Sequence, residues 1–198
     1  MEIQKTAKPL SVIDESKRDG VPGHRVAQSL EDMLAEYPFF KGMKAEHLSI
    51  VARAATRAKF DAGQVIFREG DPANRLYLIQ HGKVALEAQG TGTTGAEFQI
   101  IGAGDVLGWS WLFPPFNSHF RARALEPTQC IFLYGSRLRE ECEQNHELGY
   151  ELMKRTVGIV IQRLQATRER LVEISTLKDV GATNGEFLAT GSAGSSSS

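Results

Sequence analysis

The chain has 198 residues, of which 41% are hydrophobic, enough for one substantial core with terminal extensions. A formal net charge of −1 excludes the bulk positive field that draws a protein to nucleic acid or to an anionic membrane surface. Cys130 and Cys142 lack any metal-ligand spacing and read as buried reduced thiols, and with neither an export signal nor an apolar run of about 18 residues a cytoplasmic protein is expected.

Residues 1–27 are polar, mixed in charge and broken by Pro9, Pro22 and Gly23, so a flexible N-terminal arm is expected. A folded domain is expected over residues 28–176. It opens on Leu30, Met33, Leu34 and Tyr37 at helical spacing, Pro38 ends that helix, and residues 38–55, PFFKGMKAEHLSIVARAA, start a second. Phe39 and Phe40 are placed to plug the helical pair onto the core.

From about residue 57 to 135 the pattern changes to short extended runs punctuated by glycine. Gly63, Gly70 and Gly82 fall at turns, and Val65, Phe67, Leu76, Leu78, Val84 and Leu86 are read as alternating toward one face, which implies a small barrel or jelly roll. GTGTTG, residues 90–95, reads as a hairpin tip; it lacks the lysine and following helix of a phosphate loop. Helices follow over about 136–176. In the last of them Met153, Val157, Val160, Leu164, Thr167, Leu171 and Ile174 keep a four-and-three spacing, a heptad seam. The seam either packs on its own barrel or, as the simpler partner for so long a stripe, on the same helix of a second copy, giving a homodimer. Residues 177–198, rich in Gly, Ser and Ala, read as a flexible tail.

Three stretches carry a resemblance. Residues 38–48, PFFKGMKAEHL, resemble the entry segment of cyclic nucleotide-binding domains, and residues 67–84, FREGDPANRLYLIQHGKV, resemble the turns and strands of their barrel. Residues 102–113, GAGDVLGWSWLF, with 122–133, ARALEPTQCIFL, resemble their phosphate-binding cassette. The chain is thus similar to the sensor domain of the catabolite activator (Crp/Fnr) family, without the helix-turn-helix domain that follows there. The resemblance implies a mainly β protein with flanking helices (α+β): a jelly-roll barrel, a helical lead-in and a long C-terminal dimerisation helix. Direct DNA binding and membrane insertion are not expected.

Within the cassette, Gly108 matches the glycine that lets backbone approach a phosphate, and Ser110 lies in the short helix whose amides point inward. Trp109 stands where the family has a glutamate for the ribose, and Ser118, with a one-residue gap in PPFNSHF, where it has the phosphate arginine. Arg121 and Arg123 are expected to face outward, by strand alternation. His119 is either a weak anion contact or a plain loop histidine; Trp109 either fills the ribose volume or walls a different, less charged ligand. Thr167 matches a threonine that touches the purine in this family and Arg168 departs from the small hydroxyl residue beside it; Thr167 can equally serve only to set helix register. Ordinary cyclic AMP binding is therefore not expected, and no cofactor is.

The function implied is a stand-alone regulatory module with a degenerate cassette, sensing a small nucleotide-like or other ligand and signalling through a homodimer to a protein partner. The alternative is a dimerisation module with a closed, empty pocket. No enzyme is expected: His24, His47, His81, His119 and His146 are scattered singly, so no metal site is assigned, and Glu140 and Glu141 read as a solvated helix face.

Overall fold

The computed structural model describes residues 11–12, 28–88 and 96–189. The glycine-rich stretch 90–95, most of the N-terminal arm and residues 190–198 lie outside the described residues. The chain forms two units, which divide between Val157 and Gly158.

The lead-in begins with α1, Leu30–Glu36, where the Ser29 hydroxyl accepts from the Asp32 amide at 3.1 Å and Glu31 and Asp32 occupy the first turn. Side-chain capping and early acidic residues both offset the unpaired amides of a helix start. Pro38 then redirects the chain into a 3-10 turn, Pro38–Phe40, and α2 follows at Ala45–Arg53. Leu34, Phe40 and Val51 are fully buried. The Tyr37 hydroxyl shares its proton between the carbonyls of Ile79 (2.9 Å) and Asp105 (2.7 Å), tying the lead-in to the barrel.

The barrel is two antiparallel sheets. One runs β1 (Ser11–Val12), β2 (Ala55–Phe60), β9 (Thr128–Tyr134), β4 (Arg75–His81) and β7 (Val106–Leu107); the other runs β3 (Val65–Phe67), β8 (Arg121–Ala124), β5 (Val84–Ala88) and β6 (Ala96–Ile101). This is the jelly roll expected from the sequence. Between the sheets lie Phe60, Tyr77, Ile79, Val84, Leu86, Ile101 and Phe132.

Strand β4 differs from the sequence expectation. Tyr77 and Ile79 face the inter-sheet core, so by the two-residue period Leu76 and Leu78 point the other way, where both are also fully buried. A strand buried on both faces shows no clean alternation, so hydrophobicity alone does not identify its core face. Ser11–Val12 pairs with Lys59 and Ala58, so the arm contains a strand pair.

After the barrel come α3, Gly135–Gln144, and α4, His146–Ala189. Asn145 separates them, its Oδ1 accepting from the Leu148 amide at 3.0 Å as a cap. In the first unit Leu138, Leu148 and Leu152 are fully buried, and Arg155 donates to the carbonyls of Phe39 (2.7 Å) and Lys41 (3.1 Å). Helix α4 continues past the expected boundary at 176 to Ala189. No proline follows Pro127, so nothing in the sequence forbids the helix from running into the glycine-rich stretch.

Candidate functional site

Strand β7 leads into Gly108, which has φ +84°. A β-carbon there would lie 2.6 Å from the Arg75 carbonyl oxygen, so a side chain is barred by both conformation and space. The chain then makes a 3-10 turn, Trp109–Leu112, and a loop that returns to β8. That loop is laced to the turn before β4: the Gly70 amide donates to Ser118 O (2.8 Å), the Ser118 amide to Asp71 O (2.8 Å) and the Ala73 amide to Phe116 O (2.6 Å). Helix α3 braces it from outside. Arg139 donates to the Trp111 carbonyl at 2.6 Å and its guanidinium stands 4.5 Å from the Phe116 ring centre.

Between these segments is a cavity of about 260 Å³, bordered by Gly108, Ser118, Asn74, Arg75, Tyr77 and Phe67 among others. Ser118 is 7% exposed, and its backbone amide is already spent on Asp71.

Arg75, which is not assigned to the site from the sequence, borders this cavity. It alternates with Leu76, so it shares the inward side of β4 with Tyr77, and its guanidinium carbon lies 5.1 Å from the centre of the Phe132 ring. Its Nε is buried without a hydrogen-bond partner. Burial raises the Tyr77 hydroxyl above its ordinary range, and the hydrogen bond and charge of Arg75 oppose that rise.

Arg121 and Arg123 stand elsewhere. On β8 they alternate with Ala122 and Ala124, which are fully buried, and both turn to Glu87 of β5. Arg123 donates to Glu87 Oε1 from Nε at 2.8 Å and also from Nη2, while Arg121 Nε makes a charge contact at 3.3 Å to Oε2. Glu87 is 3% exposed, and a carboxylate so placed requires these cations.

Trp109 and His119 stack on one another, ring centres 5.5 Å apart and planes at 30°. Neither is among the residues bordering the cavity, whereas Ser110 is buried within the 3-10 turn and Trp111 is fully buried. Of the site residues expected from the sequence, the structure brings Gly108 and Ser118 together at the cavity; Trp109, Ser110 and His119 are adjacent to them in the chain. The missed residue, Arg75, is signalled by its offset of two from Tyr77.

Thr167 and Arg168 belong to the second unit, where both are exposed and the Thr167 hydroxyl donates to the Arg163 carbonyl one turn back at 2.9 Å. Of the seam residues, Met153, Val157, Leu164, Leu171 and Ile174 are exposed and Val160 is half-buried. Tyr150, Ile161 and Val172 add further exposed apolar surface to the helix.

Comparison with known proteins gives a consistent result. The sequence profile of the cyclic nucleotide-binding domain matches residues 57–145. A solved structure from Geobacter metallireducens GS-15, described as a cyclic nucleotide-binding protein, is 32% identical with a TM-score of 0.61, covering 68% of this chain and 97% of that one. A cyclic nucleotide-binding domain from Methylobacillus flagellatus KT has a TM-score of 0.62 at 17% identity, covering 73% of this chain and 82% of that one, a likeness of fold. A CRP-like cAMP-activated global transcriptional regulator of Mycobacterium tuberculosis is 22% identical over 145 residues, 73% of this chain. The matched region spans 63% of that regulator's length.

Proposed function

Because the chain belongs to the cyclic nucleotide-binding domain family, we propose that it is a regulatory module whose barrel takes up a small ligand beside Gly108 and Ser118. The signal passes through a homodimer built on α4 to a protein partner. The observation that carries this reading is the cavity at the cassette, bordered by Gly108, Ser118 and Arg75. At about 260 Å³ it lies just below the usual range of about 300–1,000 Å³ for ligand pockets, which suits a small guest.

The cassette is degenerate in this reading. Ser118 holds the position of the family's phosphate arginine, and the two nearby arginines are committed to Glu87. Withdrawing a desolvated arginine from an anion costs about 2–5 kcal/mol, or about 30- to 4,000-fold in affinity. Arg75 supplies positive charge from a different strand, so it does not restore the paired contact of the ordinary mode. The ligand is a nucleotide-like molecule or another small molecule that uses Arg75 and the Ser118 hydroxyl.

The dimer reading is supported by the exposed apolar face of α4. Among the described residues no helix is long and apolar enough to cross a membrane. Cyclic nucleotide-binding domains are as a rule non-catalytic, and no enzymatic step is assigned. With a net charge of −1 the partner we assign is a protein rather than DNA, and the compartment is the cytoplasm.

Calorimetric titration of the full chain with cyclic mononucleotides, cyclic dinucleotides and nucleosides tests the reading. Cyclic AMP is expected to bind more weakly than about 100 μM, Ser118→Arg to tighten it at least about tenfold, and Arg75→Met to abolish binding of whichever ligand is retained. Micromolar cyclic AMP binding that survives Arg75→Met would overturn it.

A further inference from the structure

His47, near the start of α2, is 1% exposed, and neither ring nitrogen has a hydrogen-bond partner. A neutral imidazole carries one donor and one acceptor, and burying both unmet is unfavourable unless something outside the protein satisfies one of them. The surroundings of Nε2 indicate what that is. Glu46 Oε1 lies 3.9 Å from it, and a carboxylate oxygen of Glu147, in the first turn of α4, completes a group whose three ligand atoms all fall within 4.8 Å of one another.

We propose that His47, Glu46 and Glu147 form a binding site for one divalent transition-metal ion, with zinc the best suited. An imidazole nitrogen with two carboxylates selects borderline ions over magnesium or calcium, which favour all-oxygen shells. Bonds of about 2.0–2.2 Å in a tetrahedral shell place ligand atoms about 3.5 Å apart. The two glutamates can close that distance, since their side chains are 70% and 56% exposed while His47 is fixed by its burial. The fourth position is open to water.

The two carboxylates already gather a cation. Lys44 Nζ is in direct contact with Glu147 Oε1 and lies 4.0 Å from Glu46 Oε1. The lysine side chain is 57% exposed on a flexible stem, so a dication bonded to the imidazole as well displaces it into solvent. The consequence is mechanical: the ion fastens α2 to the first turn of α4 and stabilises the folded state by its own binding. No metal site is assigned from the sequence, because Glu147 lies 100 residues from His47 in the chain and only the fold brings the two together. The site is independent of the barrel cavity.

The test is titration of the chelator-treated full chain with Zn²⁺ and Co²⁺. Expected are one ion per chain, visible cobalt bands of a four-coordinate site and a saturable rise in melting temperature. Glu147→Gln, an exposed and structurally mild change, is expected to weaken binding at least about tenfold, and Lys44→Met to tighten it by about three- to tenfold. His47→Gln is expected to remove the cobalt bands. Absence of stoichiometric binding below about 100 μM, or an affinity unmoved by Glu147→Gln, would overturn the proposal.

Discussion

At position 108 the backbone has φ +84°, and an added β-carbon would press on the Arg75 carbonyl of a central strand. Gly108→Ala therefore meets a conformational cost of about 1–2 kcal/mol and a clash with backbone that cannot swing aside. The expected outcome is a loss of about 2–3 kcal/mol in urea unfolding at unchanged m-value, together with weaker ligand binding, because Arg75 moves with its strand. A loss below about 0.5 kcal/mol would show that the turn relaxes freely. The place of Gly108 at the cavity was legible in the sequence because the cassette motif fixes its position. Arg75 was not. Assigning Leu76 and Leu78 to the core face pushed Arg75 outward, and in a strand one step of register reverses every side chain. With both faces of β4 buried, hydrophobicity alone could not choose between the two assignments.

Among the elements, β8 shows how strand period sets charge. Ala122 and Ala124 fill the core while Arg121 and Arg123 meet Glu87 on the other face, so the outward placement read from the sequence follows from alternation alone. Its partner was illegible, since Glu87 looks like any surface glutamate until β5 and β8 pair in register. Helix α4 was legible in existence and illegible at its end, where Gly181 and Gly185 lower helix propensity without breaking the helix. Leu164 and Leu171 are 69% and 65% exposed, so they add little to the fold of one chain. The double substitution Leu164→Glu with Leu171→Glu is therefore expected to leave the barrel's melting intact and to convert a dimer to a monomer, read by light scattering after size exclusion. A wild-type chain that is monomeric at about 100 μM would remove the homodimer from the proposal.

In the molecule as a whole, two thiols and two phenols among the described residues are shifted in the same direction. Burial pushes the Cys130 thiol up to about 12 from a usual 9.0 and the Cys142 thiol, with help from Glu141 and Glu143, up to about 11. Tyr37 and Tyr77 are raised from 10.0 by the same desolvation. Each folded value exceeds its unfolded one, so the stability these groups contribute is fully present below about pH 9 and is lost as the pH rises through the folded values. They are spread over the lead-in (Tyr37), the paired strands β4 and β9 (Tyr77, Cys130) and α3 (Cys142), so their titration reports on the whole first unit rather than on one element. Alkaline unfolding of the first unit is accordingly expected to be cooperative, near- and far-ultraviolet dichroism changing together, with a urea midpoint that is flat to about pH 8.5 and falls steadily between about pH 9 and 12. Tyr37→Phe separates the contributions. It forfeits the hydroxyl's bond to the Ile79 and Asp105 carbonyls, a loss of about 1–2 kcal/mol at pH 7, and it also removes one titrating group, so its alkaline decline should be shallower than that of the wild type. Parallel declines in the two proteins would mean that Tyr37 ionises in the folded state without resistance, and that the lead-in opens before the barrel does.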